Sequence, residues 1–158
     1  MFRGVTEAMT NVHKHAYIGP FRDQTPIIPG GWWIGGGFNA ERKTLRALVF
    51  DQGIGIPVTV PRRFSLEKVF DFFQGRNLPD NDSGRIAAAM ELGRTRTGNP
   101  HQGRGLPDLK LLADASPGAR LRILSLRGEY IYSKVGQEQL QEHPTSLGGT
   151  LIQWEIDL

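Results

Sequence analysis

The sequence predicts an α+β fold, a two-layer α/β sandwich in which helices cover one face of a mixed, mostly antiparallel sheet. Three observations lead there. Apolar residues recur at helical spacing at the start of the chain and through its middle. Short runs of alternating apolar residues form two groups, one within residues 32–50 and one after residue 118. Helices interspersed with strands of this kind are most simply packed as one helical layer on one sheet.

Taken in order, Val5, Ala8, Met9, Val12 and Ala16 give residues 3–17 the apolar stripe of an amphipathic helix, stopped by Gly19-Pro20. After a connection containing Pro and Gly, residues 45–50 alternate as a strand, with residues 32–38 (WWIGGGF) as its hairpin partner. The aromatics of WWIGGGFN are expected to plug the core, the alternative being a docking surface for a partner. SLEKVFDFFQGR and SGRIAAAMELGR read as two helices, with Ser65 and Asp82 as their caps and Phe70, Phe72 and Phe73 in the core. TRTGNPHQGRGL reads as a loop, and LPDLKLLAD behind it as a helix with Pro107 in its first turn. ARLRILSL, EYIYSKV and GGTLIQWEIDL read as three strands of an antiparallel meander. No repeat, low-complexity tract or linker interrupts residues 1–158, so a single domain is expected.

Composition narrows the function classes. A chain of 158 residues with 39% hydrophobic and 22% charged residues suits a soluble globular domain. It has no cysteine, which excludes disulfide scaffolds and thiolate metal sites and fits a reducing, cytoplasmic setting. No apolar run reaches the ~20 residues of a membrane helix. The net charge of +3 suits an anionic ligand better than a nucleic-acid partner, and none of the latter is expected. The 20 glycines exceed the roughly 11 that average usage of ~7% would supply, which implies close backbone approaches or unusual turns.

Three stretches carry chemistry. In TEAMTNVHKHAY, Glu7 and Asn11 stack on one helix face, and Lys14 and His15 flank the same stripe. A carboxylate can take a proton from a nucleophile, an Asn oxygen can ligate hard Mg²⁺, and a lysine can neutralise phosphate. A solvated helix face would look the same. In VFDQGIGIP a strand ends in Asp51, followed by Gly53 and Gly55. An acceptor-only carboxylate there suits the amino group of adenine, and the glycines would admit a flat base. A plain turn after a strand is the alternative. In TGNPHQGRGLPDLKLL, Gly103 and Gly105 stand before a helix, where backbone amides can hold phosphate, and Arg94, Arg96, His101 and Arg104 surround them. A flexible loop with a capping turn fits the same residues.

Jointly, and in this order, the stretches resemble the GHKL superfamily of ATPases and kinases, which includes sensor histidine kinases, anti-sigma-factor serine kinases, topoisomerase ATPase domains and heat-shock chaperones. TEAMTNVHKHAY is similar to its N box, DQGIGIP to its first glycine box, GRGL to its second, and SLGGT to the Gly-Thr that enters the last strand. The N box looks closest to the anti-sigma serine kinases and one group of sensor kinases. The resemblance implies Mg²⁺ and ATP as cofactors, with Glu7 as general base, Asn11 holding Mg²⁺, and Lys14 with His15 on phosphate. It further implies Asp51 on the adenine amine, Gly53 and Gly55 shaping the base pocket, and Gly103, Arg104, Gly105 and Leu106 cradling phosphates. Thr150 would bind the adenine edge, and residues 94–102 would form the lid.

The implied activity is ATP hydrolysis or transfer of the γ-phosphoryl group in a signalling pathway, with a protein partner or further domains of the same protein. The alternative is a nucleotide-sensing module that controls a partner through its lid. A nucleic-acid-associated ATPase is a third reading, disfavoured by the low net charge. The family usually places a strand and a helix ahead of the N box, so the sequence reads as a fragment whose sheet would expose an unpaired edge.

Overall fold

The computed structural model describes residues 2–18, 30–93, 106–136 and 138–157. The hairpin is formed by β1 (Trp32–Asn39) and β2 (Thr44–Asp51), paired antiparallel from Trp32 opposite Asp51 to Asn39 opposite Thr44. After it come β3 (Arg120–Ser125), β4 (Gly128–Ser133), β5 (Gln139–Glu142) and β6 (Thr150–Asp157). Together they form one six-stranded sheet in the order β1-β2-β6-β3-β4-β5, each neighbouring pair antiparallel.

The expected meander is therefore interrupted, because β6 returns between β2 and β3. Its Ile152, Trp154 and Ile156 are buried in alternation, as a central strand requires. The extra strand β5 reads Gln-Leu-Gln-Glu and has no apolar alternation to announce it.

The helical layer begins with α1 (Phe2–Asn11), continued by a π-helical turn over Val12–Ala16. Then come α2 (Ile56–Arg63), α3 (Leu66–Arg76), α4 (Asp82–Leu92), a 3₁₀ turn (Leu106–Leu109) and the single-turn α5 (Lys110–Ala113). The stop at Gly19-Pro20 lies outside the described residues. Sequence reading missed α2, whose IPVTVPRR pattern carries two prolines and β-branched residues. Pro57 is tolerated in its first turn, where no amide is required, and Thr59 and Val60 are buried.

Ser65 caps α3 through Lys68 N at 3.5 Å. The cap of α4 is Asn81, not Asp82. Asn81 Oδ1 accepts from Gly84 N at 2.9 Å, while Asp82 Oδ2 accepts from Arg127 N at 3.0 Å. The helix expected behind the glycine-rich loop shrinks to one 3₁₀ turn and one α turn.

The core lies between the sheet and the helices. Leu121, Ile123, Tyr130 and Trp154 from the sheet meet Ala8, Val12, Ile86, Met90 and Leu109 from the helical layer. Trp154 Nε1 donates to Leu109 O at 3.0 Å, which ties the 3₁₀ turn to the sheet centre. Phe72 and Phe73 are buried as expected, but Phe70 is 61% exposed on the outer side of α3. The aromatics of β1 do not plug the core. Trp32 and Trp33 are 39% exposed and Phe38 58%, because among the described residues no helix packs broadly over this edge strand.

Candidate functional site

A cavity opens where the end of α1, the end of β2, α2 and the start of β6 converge. Asn11, His15, Asp51, Gly55, Leu106 and Thr150 all line it. These six positions come from four separate stretches that sequence reading singled out. Ala8, Val12, Ala16, Ile56 and Ile152 supply an apolar wall, and Thr59 and Arg63 complete the lining from α2.

The strand register builds the polar end of the cavity. Asp51 closes β2 and stands directly opposite Thr150, the first residue of β6, which in turn stands opposite Ser125 at the end of β3. Asp51 is 6% exposed, and its Oδ1 accepts from Gly53 N at 2.8 Å. Burial raises its pKa from 3.8 to about 6, opposed in part by that amide.

Ser125 Oγ accepts from Ile56 N at 2.9 Å, donates to Gly149 O at 3.2 Å and lies 2.8 Å from Thr150 Oγ1. With its one proton on Gly149, Ser125 takes the Thr150 proton and leaves the Thr150 lone pairs for a ligand. The pocket end thus offers two acceptors and fits a ligand that donates.

The stripe on the first helix does not stay together. The π-helical turn turns the chain by less per residue than an α-helix, so the alignment of residues 7, 11, 14 and 15 is lost after Asn11. Asn11 and His15 line the cavity, Lys14 is exposed, and Glu7 is half-buried outside the wall. Burial and then Asp108 raise the Glu7 pKa, while Lys14 and Arg63 lower it. Burial, Arg63 and Lys14 lower the pKa of His15, so its ring is neutral at pH 7.

Asn11 Nδ2 is buried with no hydrogen-bond partner. Its nitrogen therefore fits an acceptor on a ligand in the cavity, and an Asn side-chain oxygen is of the type that ligates a hard cation. Among the described residues no trio of His, Asp and Glu could hold a metal. A Mg²⁺ ion here would take Asn11 as protein ligand and the rest of its shell from phosphate and water, as Mg²⁺ commonly does.

The glycines of the DQGIGIP stretch have structural duties as well. A Cβ at Gly53 would lie 2.3 Å from Ala16 O, the same carbonyl that accepts from Ile54 N at 2.7 Å. Gly53 thus lets the π-helical turn press against the β2–α2 loop, and it is not on the cavity wall. Gly55 does reach the wall, with a φ of 84°. Gly103, Arg104, Gly105 and residues 94–102 lie outside the described residues.

Arg63 and Thr59 went unrecognised because α2 went unrecognised; the signal was the first-turn proline followed by Val, Thr and Val before two arginines. No protein-family model matches the chain, and no curated protein matches it.

Proposed function

We propose that the chain is a GHKL-type domain that binds Mg²⁺-ATP in this cavity and transfers or hydrolyses the γ-phosphoryl group. The observation that carries the reading is the convergence of Asn11, His15, Asp51, Gly55, Leu106 and Thr150 on one cavity wall. Asp51 and Thr150 present acceptors at the polar end, matching the amino group of adenine, and the apolar wall suits the flat base.

Asn11 and Arg63 face the phosphates in this reading, with Asn11 the ligand of Mg²⁺. The bound cation would neutralise phosphate charge, and the protein's own part is positioning and charge neutralisation. Exposed Lys14 and half-buried Glu7 stand close enough to interact electrostatically, with Glu7 the base toward the acceptor, which is water or a serine or histidine of a partner. The reading carries with it a cytoplasmic, regulatory setting and a protein partner or further domains, with no role for nucleic acid. Among the described residues no helix is long and apolar enough to cross a membrane.

Calorimetric titration with a non-hydrolysable ATP analogue, with and without Mg²⁺, tests the proposal. Mg²⁺-dependent binding is expected, and Asp51→Ala should weaken it at least ~10-fold, the equivalent of ~1.4 kcal/mol. No binding at millimolar nucleotide, or unchanged affinity in a folded Asp51→Ala protein, overturns it. One observation favours the second reading, a nucleotide sensor without turnover: Glu7 is not on the cavity wall. Glu7→Gln should abolish ATP turnover and leave binding intact if Glu7 is the base. Absence of turnover in the unsubstituted chain, with binding preserved, selects the sensor.

A further inference from the structure

The WWIGGGFN strand takes no part in the cavity wall, and its surface is unusual. β1 is an edge strand of eight residues without one charged side chain. Trp32, Ile34 and Phe38 continue the helix-covered face of the sheet past the last helix, where Ile34 and Phe38 are 57% and 58% exposed. Trp33 stacks on Phe50 on the opposite face, with ring centroids 5.5 Å apart, and is also partly bare. The other edge, β5, has four residues and reads Gln-Leu-Gln-Glu. Short, polar edges are how monomeric proteins avoid strand-to-strand association; β5 has that protection and β1 lacks it.

Gly36 has a cause inside one copy, since a Cβ there would lie 3.2 Å from Arg46 O, but the other two glycines of β1 do not. A Cβ at Gly37 would meet nothing within 4 Å, and one at Gly35 would make an ordinary 3.4 Å contact with Leu48. None of the three has a positive φ. Glycine is poor in strands, so its use here points to something that approaches from outside.

We propose that β1 pairs antiparallel with β1 of a second copy about a two-fold axis at Gly35, joining the two sheets into one of twelve strands. In that register Trp32 meets Phe38 of the copy, Ile34 meets Gly36, Trp33 meets Gly37, and Gly35 meets itself. Each bulky side chain faces a glycine or makes an aromatic pair, and the faces of the two sheets match because the axis is perpendicular to them. Among the described residues no helix packs broadly over β1 to obstruct the joint.

The three aromatics, at roughly 150–250 Å² each, leave roughly 200–350 Å² per copy bare at the exposures observed. With Ile34 and both strand backbones added, the joint buries on the order of 1,000 Å², the small end of specific interfaces. The dimer is therefore weak and concentration-dependent.

Sedimentation velocity from ~5 to ~200 μM should show the mass rising from 17.6 kDa toward twice that value. Gly37→Val adds a side chain where the single copy has open space but the copy's Trp33 must sit. It should hold the mass at 17.6 kDa without lowering the unfolding midpoint. The chain has no cysteine, so Gly35→Cys should form a disulfide-linked dimer under oxidation and Gly37→Cys should not. A mass of 17.6 kDa at every concentration means that the edge serves some other partner and overturns the proposal. A Gly37→Val protein that still dimerises places the joint elsewhere and overturns it equally.

Discussion

A buried carboxylate with a pKa near 6 makes the polar end of the cavity sensitive to pH. The native Asp51 holds its proton more tightly than an ordinary 3.8 carboxyl, so ionising it costs folding free energy. That penalty is absent below pH 3.8, grows as pH rises to about 6 and is constant above, where it amounts to on the order of 3 kcal/mol. Asp51→Asn should therefore gain stability relative to the unsubstituted chain between pH 4 and pH 6, as urea unfolding at several pH values will show. A flat difference across that range would mean that Asp51 is not held protonated by burial. Nucleotide affinity should move the other way, falling as pH drops through about 6 and the acceptor is lost.

The neutral His15 makes a weak phosphate ligand at pH 7, so Arg63→Ala should weaken ATP binding more than His15→Ala, with adenosine binding nearly unaffected. Equal losses in both variants would remove Arg63 from the phosphate end.

At the scale of elements, the joint between the first helix and the β2–α2 loop decides the shape of the site. Tyr17 donates its hydroxyl proton to Gly31 O ahead of β1 and accepts from Gln52 N at 3.2 Å beside Asp51. Gly53 allows the helix end to lie against the same loop. Gly53→Ala should cost roughly 2–4 kcal/mol, because the added methyl collides with backbone rather than with a side chain that can move. A loss below 1 kcal/mol in urea unfolding would mean that this joint is loose. The cap is a smaller effect: Asn81→Ala should cost ~1 kcal/mol.

Both helices around these caps were legible from their apolar spacing. The identity of the α4 cap was not, since Asn81 and Asp82 are adjacent and equally good on propensity. Packing decides between them, because Arg127 N ahead of β4 claims the Asp82 carboxylate.

At the scale of the molecule, a network of charges clasps the helical layer to the far side of the sheet. Glu138 receives Lys110 Nζ at 2.7 Å, Arg76 at 2.9 Å and the Tyr130 hydroxyl at 2.6 Å, and Arg76 also reaches Glu91 at 2.7 Å. The Lys110 ammonium lies 4.4 Å from the centre of the Tyr132 ring. Burial alone would raise the Glu138 pKa, but these donors outweigh it and hold the carboxyl at about 2. Its contribution is thus fully present above pH 4.5 and is lost as pH falls toward 2. Glu138→Gln should narrow the acid-unfolding difference between pH 5 and pH 2, by on the order of 2–3 kcal/mol at most.

On the outer face of the sheet the exposed pair of Arg46 with Glu155 at 2.5 Å adds little, whereas Glu129 is buried there and lies 2.5 Å from Arg122 Nε and 2.6 Å from His143 Nε2.

The sequence by itself determined the class of fold, the hairpin of β1 and β2 and the positions of α3 and α4. Each of these is written in local spacing of apolar residues, which burial enforces wherever the chain ends up. It also marked Asn11, His15, Asp51 and Gly55 through the chemistry of their stretches, and Leu106 and Thr150 only through the resemblance to the GHKL motifs. Only the tertiary structure decided that β6 lies between β2 and β3, which puts Thr150 opposite Asp51. Only it separated Asn11 and His15 from Lys14 and Glu7, through a π-helical turn that no spacing rule anticipates. It also left the β1 aromatics bare. Strand order, helix phase and coverage depend on contacts between residues far apart in the chain, and local pattern holds no record of them.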